Sequence, residues 1–384
     1  MKTCPETIEV EGCFLLVRKE SVKSHPDYIL LTVIIALLLL GIIMVFTSSY
    51  IWAEYKYDDM FFFVKRQLLF ASVGVIGMII IMSIPYHFWM VYSKVILLVC
   101  FLLLMIVLIP GIGMVRGGAQ SWIGVGAFSI QPSEFVKLGL IIFLSKKLAT
   151  NQKHITSFKR GFLPLLLLVF TIFGLIMLQP DLGTGVVLVL TCMVLLFVGG
   201  ARILHFIGLA LIGSIAFIFL ILSAPYRISR ITAFLNPWED PLGDGFQIIQ
   251  SLYALGPGGL MGTGLGNSLQ KYFYLPEPQT DFIFAILGEE LGFIGAGFVI
   301  CLFALFFWRG IKVSLESPDH FGRYLALGIV SLVTIQTLIN ISVVIGLIPV
   351  TGITLPYLSY GGSSLTLTLC SSGILLNISK MTFH

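Results

Sequence analysis

The chain has 384 residues, of which 57% are hydrophobic and 11% are charged, and its mean hydropathy is +1.01. This composition excludes an ordinary soluble domain and indicates an integral membrane protein. The net charge of +4 is small, and the basic residues form no single run that would indicate a nucleic-acid partner.

Apolar runs long enough to cross a bilayer as helices recur along the chain, which predicts an all-α polytopic fold. Residues 1–27 are predicted to form an inner tail, residues 28–380 the transmembrane domain, and residues 224–281 a large outer loop within it. We place ten spans at Tyr28–Phe46, Gln67–Ile84, Phe88–Ile109, Ser133–Leu148, Phe162–Leu178, Thr184–Val198, Ile203–Ser223, Phe282–Trp308, Leu325–Ile348 and Tyr357–Lys380.

The Lys and Arg residues set the predicted orientation. With the N-terminus inside, fourteen of them fall in inner segments and seven in outer segments. Because inner loops of membrane proteins carry the excess of positive charge, we expect both termini on the cytoplasmic side. The six cysteines lie in spans or in the inner tail, and the six histidines are scattered, so we expect neither a disulfide framework nor a His/Cys metal site.

The first outer segment with unusual composition is Gly111–Gln131, whose glycines predict a compact loop with Arg116 as its only charge. The fourth span follows, with Ser133 as a predicted N-cap and Glu134 in the first turn. Lys137 lies one turn deeper, where a lysine is costly and needs a partner. Glu134, three residues earlier, is the candidate, either as a purely structural ion pair or as part of a functional site.

Two further outer segments carry polar residues. In QPDLGTG at Gln179–Gly185, Asp181 either caps the next helix or joins a polar cluster. In the large loop, Arg227 and Arg230 are spaced to bind phosphate together, or equally to anchor the protein at lipid headgroups. The glycine-rich stretch Gly256–Gly266, followed by Lys271, is a possible phosphate cradle, although its spacing matches no nucleotide-binding motif.

The stretch Leu275–Gly292, LPEPQTDFIFAILGEELG, places Asp281 where a polar loop enters a span. Charge bias puts this carboxylate on the outer side. On a helix, the small residues Ala285, Gly288, Gly292 and Gly295 share roughly its face, which permits close helix packing or a cavity below the carboxylate.

The last two spans carry the remaining polar residues. Gln336 and Asn340 lie one turn apart in the ninth span, and Pro349, Gly352 and Pro356 then break the helical pattern. We therefore expect irregular backbone at membrane depth, which is stable only against protein or a wet cavity.

Five segments, taken together, resemble the SEDS family (shape, elongation, division and sporulation), whose members are related to FtsW, RodA and SpoVE. They are QPSEFVKL at Gln131–Leu138, QPDLGTG, the Arg227–Lys271 loop, LPEPQTDFIFAILGEELG, and LPYLSYGGSS at Leu355–Ser364. The wording GITLP at Gly352–Pro356 is more similar to the division and sporulation branch than to the elongation branch.

This resemblance implies a peptidoglycan glycosyltransferase that polymerises lipid II on the outer face of the cytoplasmic membrane, during cell division. The family's catalytic aspartate maps onto Asp281, as the base that accepts a sugar hydroxyl proton. Arg116, Arg227, Arg230 and Lys271 would then bind diphosphate, and Glu134 and Lys137 would orient or tune Asp281. A class B penicillin-binding protein is the implied partner, and a divalent cation, Mg²⁺ or Mn²⁺, near Asp281 is compatible with diphosphate.

The chain departs from the family pattern at two places. Gln279 stands where members usually have His, and Gln120 and Ser121 stand where basic residues are usual before Trp122. The residues also leave two rival functions open: a lipid II flippase, and a division scaffold without activity. A flippase needs polar groups through the membrane depth, whereas the strongest polar cluster here is predicted at one surface.

Overall fold

The structure is a computed structural model that describes residues 8–10, 13–15, 25–116, 119–125, 128–222, 228, 232, 234–243 and 245–382. Within these ranges the protein is mostly helical. The α-helices are α1 (Tyr28–Tyr57), α2 (Phe62–Ser83), α3 (His87–Val107), α4 (Pro132–Thr150), α5 (Leu163–Met177), α6 (Leu182–Val198), α7 (Ile203–Leu222), α8 (Phe246–Gly258), α9 (Ile283–Leu315), α10 (His320–Val344) and α11 (Gly362–Lys380). Shorter helical turns occupy Gln152–His154, Phe158–Phe162 and Pro237–Glu239.

Each of the ten predicted spans coincides with one of these helices. Six helical segments in the described part of the chain are long and apolar enough to cross a membrane. Five of them are α1, α2, α3, α9 and α10, and the sixth is the segment Phe158–Met177, which contains α5. Helices are expected here because the hydrocarbon offers no partner for backbone polar groups, and a helix satisfies them internally. The prediction of a helical, multi-span membrane protein is confirmed.

Several predicted boundaries were wrong, and three of them have a local explanation. α1 continues past Phe46 to Tyr57, because Ser49 Oγ donates to the carbonyl of Val45 at 2.6 Å and the polar residues therefore fit the helix. α4 begins at Pro132, whose fixed φ suits the first helical position, so Ser133 is not the N-cap. α11 begins at Gly362 rather than at Tyr357, which has a positive φ of 65°.

Short strands occur in two places in the described chain. Near the N-terminus, β1 (Ile8–Val10) pairs antiparallel with β2 (Cys13–Leu15). In the segment predicted as a compact loop, β3 (Met114–Arg116), β4 (Ala119–Val125) and β5 (Phe128–Ile130) form a three-stranded antiparallel sheet in sequence order. The glycines there therefore permit tight turns between short strands, a pattern that hydropathy alone did not reveal.

α9 is broken at Gly292, which has φ 66° and ψ −165°. The glycine-rich stretch after α8 fills the break. The amides of Thr263 and Gly264 donate to the carbonyls of Glu289 and Glu290 at 2.9 and 3.0 Å. On the other side of the break, the amides of Phe293 and Ile294 donate to the carbonyls of Gly259 and Leu260 at 2.9 and 3.1 Å. Backbone groups that the kink frees are thus satisfied by an extramembrane loop.

The irregular backbone predicted between the last two spans is confirmed at residues 345–361, and it is packed against protein. A Cβ on Gly41 of α1 would lie 2.3 Å from the carbonyl oxygen of Tyr357, so only glycine allows this approach. Tyr357 is itself buried and its hydroxyl lies 2.7 Å from Ser372 Oγ.

The start of α1 and the end of α11 lie at the same end of the helix bundle. The amide of Asp27 donates to Ser379 Oγ at 3.0 Å, and Arg309 in the second half of α9 pairs with the Asp27 carboxylate. Asp281, which precedes α9, therefore lies at the opposite end. This end of the bundle, called the Asp281 end below, also carries the starts of α2, α4, α6 and α11 and the last turns of α10.

Candidate active site

Asp281 lies in the turn that leads into α9, and the residue is only partly exposed. Its Oδ1 accepts a hydrogen bond from Thr280 Oγ1 at 2.9 Å. Burial raises the pKa of Asp281 to about 6, although the Thr280 hydroxyl and the residue's own backbone N–H oppose the shift; the charge of Glu277 adds to it. At neutral pH the carboxylate is therefore ionised yet more basic than a carboxylate in water, as a general base should be.

The backbone around Asp281 is held by the last loop and α10. Three consecutive carbonyl oxygens each accept one hydrogen bond: that of Gln279 from the amide of Tyr360 at 2.8 Å, that of Thr280 from Ser359 Oγ at 2.5 Å, and that of Asp281 from Asn340 Nδ2 at 2.7 Å. The sequence had shown Asn340 as a polar residue within a span, but had not assigned it or Ser359 to the site.

The predicted ion pair between Glu134 and Lys137 is confirmed, with Lys137 Nζ 2.7 Å from Glu134 Oε1 and both side chains buried. Lys137 Nζ also donates to Gln336 Oε1 at 3.3 Å, and Gln336 Nε2 donates to the carbonyl of Thr354 at 3.0 Å. Asn340 Nδ2, one turn further along α10, donates to the neighbouring carbonyl of Ile353 as well as to Asp281. The pair is thus connected to Asp281 indirectly, through α10 and residues 353–354.

Asp181 joins a second polar group at the same end of the bundle. Its Oδ1 caps α6 by accepting from the amide of Thr184 at 3.1 Å, and its Oδ2 accepts from Gln131 Nε2 at 3.0 Å. Burial raises the pKa of Asp181, with the Thr184 hydrogen bonds opposing and the negative charge of Glu134 adding to the rise, while the charge of Lys137 lowers it. Asp181 therefore caps a helix and also belongs to a polar cluster, because Gln131 donates a hydrogen bond to it and the charges of Glu134 and Lys137 on α4 affect its pKa.

The predicted phosphate-binding arginines stay predictions. Arg227 and Arg230 lie outside the described residues. Arg116 closes β3, where it is paired with Ala119, but its side chain lies outside the described part of the structure.

Lys271 has a different environment from the one we expected. Its side chain is fully buried, donates to the carbonyl of Gly266, lies over the ring of Tyr50 and sits 3.5 Å from Glu290 Oε1. This placement favours a structural role for Lys271 over direct contact with a diphosphate.

The possible phosphate cradle at Gly256–Gly266 is likewise used within the fold. The amides of Thr263 and Gly264, which would have to face a phosphate, donate to the carbonyls of the broken helix α9. The neighbouring Glu289 accepts from Ser268 Oγ at 2.5 Å and from the amide of Leu269 at 2.7 Å. Two small residues of the α9 stripe serve close packing, since a Cβ on Gly288 would lie 2.5 Å from Leu255 Cδ2 and a Cβ on Gly292 would lie 2.3 Å from the amide nitrogen of Gly262.

Two of the three departures from the family pattern, Gln279 and Ser121, are buried, and Gln120 is partly buried. Gln279 is 3% exposed and its Oε1 has no hydrogen-bond partner, so the side chain beside Asp281 faces the protein interior. Ser121 is buried in β4, while Gln120 Nε2 donates to the carbonyl of Val107 at 3.4 Å.

A cleft of about 330 Å³ includes Pro276, five residues before Asp281, in its lining, but Asp281 itself does not line it. It is lined by the start of α8, by Pro276 and by Val350. Within the described residues, no group of three His, Cys, Asp or Glu side chains could hold a metal ion. Asp281 and the nearby Glu277 would supply at most two carboxylates, so a bound cation would need further ligands such as diphosphate oxygens.

Comparison with known proteins supports the interpretation of these motifs. The chain is 63% identical over 358 residues to the stage V sporulation protein E of Bacillus subtilis (strain 168), which covers 93% of this chain and 98% of that protein. It is 43% identical over 364 residues to a probable peptidoglycan glycosyltransferase FtsW of Trichlorobacter lovleyi, covering 95% of this chain and 96% of the relative.

Solved structures share the fold. One chain of a structure described as "Structural coordination of polymerization and crosslinking by a peptidoglycan synthase complex" matches with a TM-score of 0.74 and 30% identity, over 92% of this chain and 97% of the other. The rod shape determining protein RodA of Thermus thermophilus matches with a TM-score of 0.68 and 26% identity, over 94% of this chain and 98% of the other.

The predicted resemblance is confirmed along almost the whole chain. Residues 28–384 match the sequence model of FtsW, RodA and SpoVE, which is described as "Cell cycle protein". The higher identities to a sporulation protein and to FtsW agree with the branch that the GITLP wording indicated. The chain therefore belongs to the FtsW/RodA/SpoVE family of cell cycle proteins.

Proposed function

We propose that this protein is a peptidoglycan glycosyltransferase that polymerises lipid II into glycan strands on the outer face of the bacterial cytoplasmic membrane. The single observation that carries the proposal is the largely buried carboxylate of Asp281, held at the end of a membrane bundle with its pKa raised to about 6. The names of its FtsW relatives, probable peptidoglycan glycosyltransferases, support the reaction class.

In the proposed reaction, a sugar hydroxyl of one lipid-linked disaccharide attacks the anomeric carbon of a second. The new glycosidic C–O bond forms as the bond to the polyprenyl diphosphate breaks, so the configuration at that carbon inverts. Asp281 takes the hydroxyl proton, and the diphosphate leaves with the bonding electron pair. The cleft that Pro276 helps to line is the proposed place for a sugar ring of one substrate.

Charge on the leaving diphosphate must be neutralised during this step. Arg116, Arg227 and Arg230 are the proposed groups, because they lie in outer segments of the sequence and Lys271 is occupied by Glu290. A divalent cation is a further proposal: the Glu277 carboxylate near Asp281 would help to hold it, and it would supply positive charge for the leaving diphosphate; activity with and without a chelator tests this.

The setting of the reaction is also proposed. We infer cytoplasmic termini and an outer Asp281 end from the charge bias, and a class B penicillin-binding protein as the partner that crosslinks the strands. The similarity to a synthase complex that couples polymerization and crosslinking supports such a partner. Cell division is the expected stage, and the 63% identity to a stage V sporulation protein supports a role in sporulation as the alternative.

Purified protein incubated with lipid II tests the proposal. We expect lengthened glycan products on a gel from the unmodified protein, none from Asp281→Asn, and normal products from Asp59→Asn. Asp59 is a matched control because it is a carboxylate at the same end of the bundle that pairs with Lys65 at the surface. Translocation of lipid II in sealed vesicles without lengthening would instead support a flippase. Full function of Asp281→Asn in cells would support a scaffold without activity.

A further inference from the structure

The residues that hold the Asp281 backbone lie on two elements far away in sequence. Asn340 is the last polar residue but one of α10, and Ser359 belongs to the irregular segment between α10 and α11. Each of the three carbonyls of residues 279–281 meets a donor at 2.5 to 2.8 Å. A loop without such donors would leave these carbonyls unsatisfied.

The donors are themselves fixed. Ser359 Oγ accepts from the amide of Leu355 at 2.8 Å while it donates to Thr280, and the carbonyl of Ser359 accepts from Gln67 Nε2 at 3.2 Å. Asn340 Nδ2 bridges the carbonyls of Asp281 and Ile353, both at 2.7 Å. Ser359 and Asn340 are buried at 4% and 1% exposure, so water cannot easily replace either donor.

We infer that Asn340 and Ser359 are positioning residues, which hold the backbone of Gln279, Thr280 and Asp281 so that the Asp281 carboxylate points at the reacting hydroxyl without being released into water. The inference rests on the proposed function, because it concerns the base of that reaction. Both side chains act through backbone carbonyls and therefore need not touch the substrate.

The positioning role has distinct kinetic consequences. A misplaced base lowers the rate of the chemical step, and a displacement of about 1 Å can cost on the order of a hundred-fold. Substrate binding uses other groups, so KM should change little. A loosened turn would also expose the Asp281 carboxylate to water, and its pKa would fall towards the ordinary value, which moves the acid limb of the rate profile to lower pH.

The test compares four alanine variants and the conservative variant Ser359→Thr of the full-length protein in a lipid II polymerisation assay. Asn340→Ala and Ser359→Ala each remove one donor to the Asp281 turn. Asn377→Ala and Ser251→Ala are the matched controls: Asn377 Nδ2 donates to the carbonyl of Met82 at 2.8 Å at the far end of the bundle, and Ser251 Oγ donates to the carbonyl of Val344 at 2.7 Å. All four residues are buried, and each change deletes a buried hydrogen bond between two elements.

We expect Asn340→Ala and Ser359→Ala to lower kcat at least about ten-fold with KM nearly unchanged and the acid limb shifted to lower pH. Ser359→Thr, which keeps the hydroxyl, should restore most of the rate and the original pH profile. The controls should lower the melting temperature without shifting the acid limb. Ser359→Ala and Ser359→Thr keep the test decisive if Asn340→Ala does not fold.

Two results would overturn the inference. Equal kcat losses in the donor variants and in the controls would mean a general packing role, and a change confined to KM would mean direct substrate contact. A failure of the proposed function gives different results: the unmodified protein makes no polymer, or Asp281→Asn remains active. Because the inference rests on that function, it would then fail as well.

Discussion

Lys271 and Glu290 lie 3.5 Å apart, Nζ to Oε1, and neither side chain is exposed. The pair joins the outer loop to the first half of α9, just before the break at Gly292. The same loop segment reaches α9 through Ser268 and Leu269, which both donate to the carboxylate of Glu289. The large loop is therefore attached to the helix that follows Asp281 by buried charges as well as by backbone hydrogen bonds.

This relationship predicts that single charge deletions are costly. Lys271→Met should destabilise the protein by about 3–5 kcal/mol, because Glu290 is then left buried and unpaired, and Glu290→Gln should be costly for the converse reason. The double variant Lys271→Met with Glu290→Gln should recover most of the lost stability. Thermal unfolding in detergent measures all three. If Lys271 instead contacts diphosphate, Lys271→Met would raise KM at an unchanged melting temperature.

A second prediction concerns the pH dependence of Asp281. The base must be ionised, and burial places its pKa at about 6, so polymerisation should be low at pH 5, rise through pH 6 and level off above pH 7. A rate profile of kcat/KM between pH 4.5 and 8 measures this rise. An acid limb centred near pH 4 would contradict the buried environment that we describe for the carboxylate.

The ionised carboxylate of Asp281 should also lower the free energy of unfolding at neutral pH. Its pKa is raised in the folded protein, so folding favours the protonated form, and the folded state loses stability as the pH rises from about 4 to above 6. Asp281→Asn, inactive in polymerisation, should thus be more stable than the unmodified protein at pH 8, by on the order of 1–3 kcal/mol. The difference should become very small near pH 3, where the carboxyl group is mostly protonated whether the chain is folded or unfolded. Melting temperatures at the two pH values test the sign, and a variant less stable at pH 8 would contradict it.

Much of the fold was predictable because a bilayer imposes long apolar helices, and the positions of all ten spans followed from hydropathy. Asp281 was recognisable as an unusual carboxylate at a loop boundary, and the spacing of Glu134 and Lys137 predicted their contact. The hydrogen bonds from Ser359 and Asn340 were not predictable, since they join elements distant in sequence. The role of the glycine-rich stretch 256–266 was not predictable for the same reason. Its composition suggested a phosphate cradle, whereas its backbone groups form hydrogen bonds with the distant residues on both sides of the break in α9.

The buried position of Gln279 predicts tolerance to the residue that is usual in the family. Gln279→His should leave kcat within a few-fold of the original value, because the Tyr360 amide holds the backbone of residue 279 whatever its side chain. The rate profile of the variant measured beside the original shows whether the imidazole titrates near Asp281. A large change in kcat or a second acid limb would mean that this side chain tunes the base directly.

The break in α9 yields a final prediction with an internal control. Gly292 has a φ of 66°, and a Cβ there would lie 2.3 Å from the amide nitrogen of Gly262 and 2.6 Å from the carbonyl oxygen of Leu260. With its ψ of −165°, this residue lies in a region that essentially only glycine adopts, so Gly292→Ala should combine about 1–3 kcal/mol of backbone strain with a steric clash that displaces the loop. Gly297, further along the same helix, has open space where a Cβ would lie, with no neighbouring atom within 4 Å, so Gly297→Ala should be neutral or slightly stabilising.

Melting temperatures and proteolysis of the outer loop compare the two variants. Equal behaviour of Gly292→Ala and Gly297→Ala would show that the loop does not depend on the break, and that the hydrogen bonds from Thr263 and Gly264 to α9 contribute little to holding it.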